Sequence, residues 1–408
     1  MKGICIDLGA SSTRVTDETA VIYELPNYLI FKDRSEVVDL EVSKTGDKQK
    51  DFLAGMDIVI DKTSGETCKA FPSRALVGDL ATRFSPAVNR PSVMMNKSKQ
   101  NINYFNIIVA AVHQAYINGY SNEQVTLYVA FPPLEVTKDT KDEVSKLLCG
   151  TYNIKLDKLN TSIDLQVVDV KCFPESYMAL AAFYYEFPSG KQNTDAVQKY
   201  GKGYVMSLDI GASTADVSIA KDKVLQEKSG QTIKTGCNVI EMDIANSIRA
   251  KYGYDPTHED LTTAICEGRL PMGNGYVDVS DMLRKAKREF ARTIVVELQN
   301  YFRLVNIPLQ SIRAIITSGG GSITSGYVDD NNVFIQTCAC VSEFITTELK
   351  NIVENIDVLA MQDPRTANVR GLYIRMMAEI ALLKAKQVRE QAESNAQIAG
   401  AVTTDAVQ

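Results

Sequence analysis

Two closely similar stretches lie half a chain apart and constrain the fold more than any other feature of this sequence. The first reads Asp7-Leu8-Gly9-Ala10-Ser11-Ser12-Thr13-Arg14-Val15, and the second reads Asp209-Ile210-Gly211-Ala212-Ser213-Thr214-Ala215-Asp216-Val217. A short apolar run precedes each stretch, so each predicts a strand, a tight turn of small residues and a second strand. Two such copies predict a duplicated domain.

Each turn has the composition of a phosphate-binding loop. Small residues after a strand leave successive backbone N–H groups uncovered, and such groups bind anions. The leading carboxylates, Asp7 and Asp209, would repel a phosphate, but a magnesium ion or its waters between them removes the conflict, because hard cations take oxygens of both kinds. The first copy ends in Arg14 and the second in Asp216. Facing each other, two such hairpins would clamp a nucleoside triphosphate with its metal.

With further segments in the matching order, the hairpins resemble the phosphate 1 and phosphate 2 motifs of the actin / Hsp70 / sugar-kinase superfamily. Residues 167–180 resemble the segment in which a strand leads into the helix that connects two domains. Residues 314–322 resemble the adenosine motif, a strand that enters a glycine-rich turn. Residues 363–372 resemble the segment before the last helix in bacterial actin-like plasmid-segregation proteins, which points to the ParM-like branch.

The resemblance implies an α/β, actin-like (ribonuclease H-like) fold of duplicated domains with a nucleotide cleft between them. Domain I would occupy residues 1–173, with a small subdomain inserted at about 32–99, and a C-terminal helix at about 368–391 would complete it. Domain II would occupy residues 174–367, and residues 392–408 would form a mobile tail. A chain of 408 residues with 45% hydrophobic content can bury two cores, which agrees with this division.

The resemblance also assigns roles at the site. Glu175, at the start of the connecting helix, is expected to position the attacking water, with Asp7 and Asp209 holding Mg²⁺ through waters as the other catalytic residues. The two turns would donate backbone N–H groups to the phosphates, the glycine-rich turn would admit the nucleoside, and Gly236 with Glu241 would reach the ribose. The expected nucleotide contacts are Gly9, Ser11, Ser12, Thr13, Arg14, Gly211, Ala212, Ser213, Thr214, Gly236, Glu241, Gly319, Gly320, Gly321 and Ser322.

The implied function is a filament-forming ATPase that hydrolyses ATP, or GTP, with Mg²⁺, binds copies of itself, and segregates plasmid DNA through a DNA-binding adaptor on a plasmid centromere. A net charge of −6 disfavours direct nucleic-acid binding. The apolar stretches are too short to cross a bilayer. None of the eight cysteines forms a Cys-x-x-Cys pair, which indicates reduced thiols. We therefore expect a cytoplasmic protein without direct contact with nucleic acid or a membrane.

Other members of the superfamily remain as alternatives. A small-molecule kinase or other phosphotransferase of the same fold would need a catalytic carboxylate and a substrate pocket in the cleft, and no clear motif for either is evident. The length of the chain disfavours Hsp70. The cell-shape actin branch usually carries an amphipathic membrane segment, and none is evident near the N-terminus. A dehydratase activator needs paired cysteines, which are not evident either. Glu175 and the two aspartates disfavour an inert structural member. The preference for ATP or GTP stays open.

Overall fold

The structure is a computed structural model that describes residues 2–9, 12–65, 73–84 and 101–404. The first strands are β1 (Lys2–Leu8), β2 (Ser12–Asp17), β3 (Tyr23–Pro26), β4 (Leu29–Phe31), β5 (Asp57–Lys62), β6 (Arg74–Val77), β7 (Glu123–Phe131), β8 (Gly150–Leu156) and β9 (Thr161–Pro174). The later strands are β10 (Tyr204–Ile210), β11 (Ala215–Lys221), β12 (Val224–Leu225), β13 (Gln231–Ile233), β14 (Arg269–Met272), β15 (Gly275–Asp278), β16 (Ile312–Ser318), β17 (Ser325–Val328), β18 (Phe334–Cys338) and β19 (Asp357–Ala360). The helices are α1 (Lys48–Ala54), α2 (Asp79–Phe84), α3 (Asn101–Asn118), α4 (Lys138–Leu148), α5 (Glu175–Tyr184), α6 (Thr194–Tyr200), α7 (Asn238–Tyr252), α8 (His258–Glu267), α9 (Ser280–Val305), α10 (Val341–Lys350) and α11 (Ala367–Thr404).

Two sheets repeat one arrangement of strands. Within the described residues the first sheet has the order β3-β2-β1-β7-β9-β8-β5-β6-β4, and the second has β12-β11-β10-β16-β19 with β13 beside β11. In the first, β1 pairs antiparallel with β2 and parallel with β7, which pairs parallel with β9. In the second, β10 pairs antiparallel with β11 and parallel with β16, which pairs parallel with β19. The predicted α/β fold of duplicated domains is therefore confirmed.

Each sheet has its own apolar core. Helix α3 packs against β1 and β2, and its buried Phe105 and Val109 belong to the core of the first sheet. Helix α9 packs against α7 and α10, and its buried Phe290 and Ile294 belong to the core of the second sheet. Helix α3 is buried on nearly all sides, whereas the buried residues of α9 recur every three to four positions and form one face. None of the described helices is both long and apolar enough to span a bilayer.

Most of the region predicted as an inserted small subdomain packs into the core of the first sheet, and only a small cluster around Leu76 and Leu80 is its own. Strand β5 pairs antiparallel with β8, with Ile58 opposite Leu156, and β6 and β4 continue the first sheet outward. Phe52 and Met56 are fully buried in the same core as β1. This happens because β8 pairs with β9 along one edge and leaves its other edge open to the insertion. Residues 66–72 and 85–100 of this region lie outside the described residues.

Helices α5 and α11 connect the two sheets. Helix α5 follows β9 of the first sheet and packs against β10 and β11 of the second, while α11 packs against α5 and β1. The two helices touch at Gly371, where an added Cβ would lie 1.9 Å from the carbonyl oxygen of Met178. Only glycine allows backbones to approach this closely. The crossing of the two helices is therefore a direct contact between their backbones.

The last helix is longer than predicted. Its end was expected at about residue 391, with a tail from 392, but α11 continues to Thr404. Apolar periodicity predicts only those parts of a helix that pack against other elements. Residues 381–392, including Leu383, are exposed, so periodicity did not predict this part of the helix. Local propensity extends the helix further, because residues 372–404 contain no proline and are rich in alanine, glutamate, glutamine and lysine. The mobility expected of the tail stays a prediction.

Candidate functional site

The two predicted hairpins are closed by the same backbone hydrogen bond. The backbone N–H of Gly9 donates to the carbonyl oxygen of Ser12 at 2.9 Å, and that of Gly211 donates to the carbonyl oxygen of Thr214 at 2.9 Å. An added Cβ on Gly9 would lie 2.6 Å from the Ser12 oxygen, so a side chain at this position would break the turn. The repeated sequence thus produces repeated backbone geometry at the ends of β1 and β10.

The hairpins differ in charge at one facing pair of positions. Asp7 on β1 lies opposite Arg14 on β2, whereas Asp209 on β10 lies opposite Asp216 on β11. Both leading aspartates are buried, with 5% and 7% of their surface exposed. In the first hairpin a cationic side chain therefore lies opposite the leading carboxylate, whereas in the second hairpin two carboxylates lie opposite each other.

The hydroxyl of Thr13 is hydrogen-bonded within the first hairpin. It donates to Oδ1 of Asn27 at 2.7 Å, and Nδ2 of Asn27 donates to the carbonyl oxygen of Gly9 at 2.7 Å. The hydroxyl therefore stabilises the turn, and a nucleotide contact of Thr13 stays a prediction. Sequence reasoning missed Asn27, and its only signal was a polar residue after Pro26 inside an apolar run. Ser11 lies outside the described residues.

Arg14 is held by carboxylates on both sides. Its guanidinium lies 3.7 Å from Asp7 and 3.1 Å from Glu24, which was not expected at the site. Glu24 also accepts from the Ser12 hydroxyl and from Arg365, the latter at 3.0 Å. Burial would raise the pKa of the Glu24 carboxyl, but the Ser12 hydrogen bond and the two arginine charges outweigh it and hold that pKa below its ordinary value.

The second turn rests on the start of α7. The backbone N–H of Asn238 donates to the carbonyl oxygen of Ala212 at 2.7 Å. An added Cβ on Gly236 would lie 2.5 Å from the backbone nitrogen of Ser213, so this glycine allows the two backbone segments to touch. Glu241 lies half-buried in the first turn of α7. Gly236 is thus beside the turn, and a ribose contact of Glu241 stays a prediction.

The glycine-rich turn lies directly against Asp209. The hydroxyl of Ser318, which faces Asp209 in the pairing of β16 with β10, donates to its Oδ1 at 3.0 Å. Gly319 has a φ of +83°, and an added Cβ there would lie 2.5 Å from the same Oδ1. Both the positive φ and the close approach exclude other residues. Two of the predicted motifs therefore meet at one carboxylate.

The rest of this turn divides into a packed part and an open part. An added Cβ on Gly321 would lie 2.4 Å from Cγ2 of Ile210, whereas one on Gly320 would meet nothing within 4 Å. The buried hydroxyl of Ser322 donates back to the carbonyl oxygen of Ser318 at 2.8 Å. Ser322 therefore stabilises the turn, and Gly320 presents bare backbone to open space, where a flat ligand group could lie.

Residues 363–371 link the two hairpins. The carbonyl oxygen of Pro364 accepts from the N–H of Gly319 at 2.8 Å, and Arg365 reaches Glu24 beside the first hairpin. Asn368 is 7% exposed, and its Nδ2 donates to Oδ2 of Asp209 at 2.8 Å. Oδ1 of Asn368 is buried without a hydrogen-bond partner. A buried carbonyl oxygen of this kind requires a donor, which a ligand or a bound water can supply.

Glu175 lies where the two sheets meet. It is the first residue of α5 and only 4% exposed. The next residue, Ser176, shares a hydrogen bond of 2.6 Å with Ser218 on β11, so the start of α5 is fixed to the second sheet. The backbone that carries Glu175 is therefore fixed to the second sheet, and the role of Glu175 in positioning water stays a prediction.

In the described part of the chain, no three His, Cys, Asp or Glu side chains cluster as a metal-binding group. A cation at the hairpins would accordingly take most of its ligands from water and from a bound anion. A cavity of about 820 Å³ lies between α5 and α11, lined by apolar side chains such as Tyr177, Tyr184 and Met377. None of the phosphate-turn residues lines it.

Residues 207–326 match the family described as archaeal actin homologue MreB-like, C-terminal. The actin-like protein Alp7A has a similar structure, with a TM-score of 0.67 at 18% identity over 96% of this chain and 98% of that one. This chain has an actin-like fold. ParM from Bacillus thuringiensis with ATP gives 0.61 at 16% identity over 93% and 99%. A 15-stranded ParM filament from Clostridium botulinum gives 0.60 at 17% identity over 93% and 99%. No curated protein sequence matches the chain. The predicted resemblance to ParM-like proteins is confirmed.

Proposed function

We propose that this actin-like protein hydrolyses ATP, assembles into filaments, and segregates plasmid DNA through a DNA-binding adaptor. The observation that carries the proposal is the pair of hairpins closed by the same hydrogen bond, each with a buried aspartate at its start, linked by residues 363–371. A relative with this fold binds ATP, and another forms a filament. The described cysteines are free, which fits the reducing cytoplasm where we place the protein.

The residues present fit a nucleoside triphosphate. Backbone N–H groups of Ser213 and Thr214 would bind phosphates, because such turns form anion-binding concavities. The exposed backbone at Gly320 leaves room for the nucleoside. In the first hairpin, the backbone N–H of Ser12 would bind phosphate in the same way, whereas the hydroxyl of Thr13 is hydrogen-bonded to Asn27. ATP is our first choice because a relative with this fold binds ATP, and GTP stays the second.

The residues around Asp209 also fit hydrated magnesium. Ser318 and Asn368 fix the two oxygens of the carboxylate, and each oxygen retains capacity for a further hydrogen bond. The unpartnered Oδ1 of Asn368 would accept from a water of that ion. Magnesium would neutralise the charge that develops on a transferred phosphoryl group. Asp7 would hold its waters from the opposite hairpin.

Hydrolysis would need little covalent work from the protein. Phosphoryl transfer to water depends on positioning and on electrostatic stabilisation. Glu175 would orient the attacking water from the start of α5, and the turn N–H groups would stabilise charge on the phosphate oxygens. Ser176 would hold Glu175 in place through its bond to β11.

Filament formation follows from the same cleft. A nucleotide held by both hairpins would fix the angle between the two sheets, and that angle sets whether the ends of neighbouring subunits match. A head-to-tail contact of this kind does not close on itself, so it propagates. Triphosphate should favour assembly and hydrolysis should weaken it. The net charge of −6 disfavours direct binding to DNA, which is why we assign that contact to an adaptor.

Sedimentation tests the proposed assembly. With magnesium and ATP or GTP at tens of micromolar protein, we expect the chain to pellet, and we expect it to stay in the supernatant with ADP or no nucleotide. Phosphate release measured in the same samples reports hydrolysis. A chain that binds and hydrolyses ATP but never pellets would favour the alternative, a small-molecule kinase of the same fold.

Replacing Asp209 by alanine should weaken binding of magnesium–nucleotide by about tenfold or more, because it removes the anchor of the hydrated ion and leaves Asn368 without its acceptor. Asn368→Ala should weaken it less. Calorimetric titration with Mg-ATP measures both, and Asp255→Ala at an exposed ion pair is the control. Unchanged affinity in Asp209→Ala and in Asp7→Ala would rule out the metal clamp.

A further inference from the structure

Three strands place a row of charges beside the first phosphate turn. Asp7 on β1 faces Arg14 on β2, and Arg14 faces Glu24 on β3. The order of charges across the sheet is thus negative, positive, negative. The guanidinium is only 12% exposed and lies within ion-pair distance of both carboxylates. Its charge is already compensated, so Arg14 cannot serve an incoming anion until one of the carboxylates releases it.

One oxygen of Glu24 collects the donors that a phosphate would use. Oε1 accepts from the hydroxyl of Ser12, from Nη2 of Arg14 at 3.1 Å and from Nη2 of Arg365 at 3.0 Å. A hydroxyl and two guanidinium groups converging on one oxygen form the donor set typical of a bound phosphate oxygen. The Glu24 carboxylate therefore occupies an anion position.

The same carboxylate joins the two halves of the molecule. Glu24 belongs to the first sheet, whereas Arg365 follows Pro364, whose carbonyl oxygen binds the glycine-rich turn at the end of the second sheet. The side chains of Glu24 and Arg365 are 45% and 48% exposed, so both have room to turn away. The side chain of Arg14 is only 12% exposed and Ser12 is buried, so both are more enclosed than Glu24. Glu24 therefore has room to turn away from these two donors.

We propose that Glu24 is a built-in competitor for the phosphate site: it holds Ser12, Arg14 and Arg365 when the cleft has no nucleotide and releases them when a nucleotide phosphate arrives. This inference rests on the proposed function, namely that the cleft binds a nucleoside triphosphate. Release of Arg365 would also break a bridge between the sheets. Binding would then be coupled to a change in their relative angle through the residues that contact the phosphate.

Binding measurements on Glu24→Gln test the competition. The amide removes the negative charge with little change in shape, so a fluorescent ATP analogue should bind roughly three- to tenfold more tightly and dissociate more slowly than from the wild type. Asp61→Asn is the matched control, because Asp61 and Arg34 form an ion pair of the same exposure, 48% on each side chain, away from the hairpins. Equal or weaker binding by Glu24→Gln would overturn the inference.

A double-mutant cycle tests the release. The melting temperatures of wild type, Glu24→Gln, Arg365→Gln and the double variant should show coupling between the two side chains without nucleotide, and the coupling should disappear with saturating Mg-ATP. Coupling that persists with nucleotide, or is absent without it, would also overturn the inference. A wild-type chain that binds no nucleotide would overturn the proposed function and this inference together. Wild-type binding with an unchanged Glu24→Gln affinity would overturn the inference alone.

Discussion

Replacing Glu175 by glutamine is expected to slow phosphate release by a factor on the order of 100 or more while nucleotide binding stays close to that of the wild type. A residue that orients the attacking water contributes mainly in the transition state, so its loss lowers the rate of hydrolysis and not the affinity. Glutamine preserves the shape of a side chain that is 4% exposed, and the mounting through Ser176 remains.

Phosphate release and nucleotide affinity should be measured on the same preparation. Glu186→Gln provides the control, because Glu186 is an exposed glutamate just beyond the end of α5. If assembly follows the triphosphate state, Glu175→Gln filaments should also persist longer than those of the wild type. Release of phosphate by Glu175→Gln at the wild-type rate would remove Glu175 from the proposed mechanism.

Gly371→Ala is expected to destabilise the fold by about 1–3 kcal/mol, because the new methyl group would lie 1.9 Å from the carbonyl oxygen of Met178 and must push α5 and α11 apart. Overpacking at a contact between two backbones cannot be relieved by a side-chain rotation. Met178 follows Glu175 by one helical turn, so the displacement should also reach the carboxylate. We therefore expect a lower melting temperature together with slower hydrolysis.

Gly275→Ala is the matched control for this substitution, because an added Cβ on Gly275 would meet nothing within 4 Å. Thermal unfolding of both variants, with and without Mg-ATP, gives the comparison. A Gly371→Ala chain as stable as Gly275→Ala would show that the two helices do not bear on each other at this point.

The parts of the fold predicted correctly are those that short patterns determine. Each phosphate turn depends on a few consecutive residues, such as Asp209, Gly211 and Thr214, and the sequence shows them together. The pairing of β5 with β8 was missed because it joins distant residues, and nothing in the letters around Ile58 indicates which edge will accept them. Open edges exist only after the sheet has formed.

The candidate site shows the same division. Asp7, Asp209 and the glycines belong to recognisable motifs, and their roles in binding stay predictions. Glu24 was missed because its partner Arg365 is 341 positions away, and Asn368 because it meets Asp209 from 159 positions away. Nothing in the residues next to Glu24 indicates that it belongs to a site. Such contacts arise from how the chain returns on itself, which composition and spacing do not encode.

The unequal charges of the two hairpins give the cleft a direction. Arg14 stands opposite Asp7 in one copy, and Asp216 stands opposite Asp209 in the other, although the turns themselves are alike. A symmetric pair of turns could accept a chain of phosphates in either sense. Here the first hairpin has a cation beside its leading carboxylate, whereas the second has two neighbouring carboxylates, which favour a shared cation. The two hairpins are thus alike in their closing hydrogen bond and different in charge, so a ligand held between them would meet a different charge at each end.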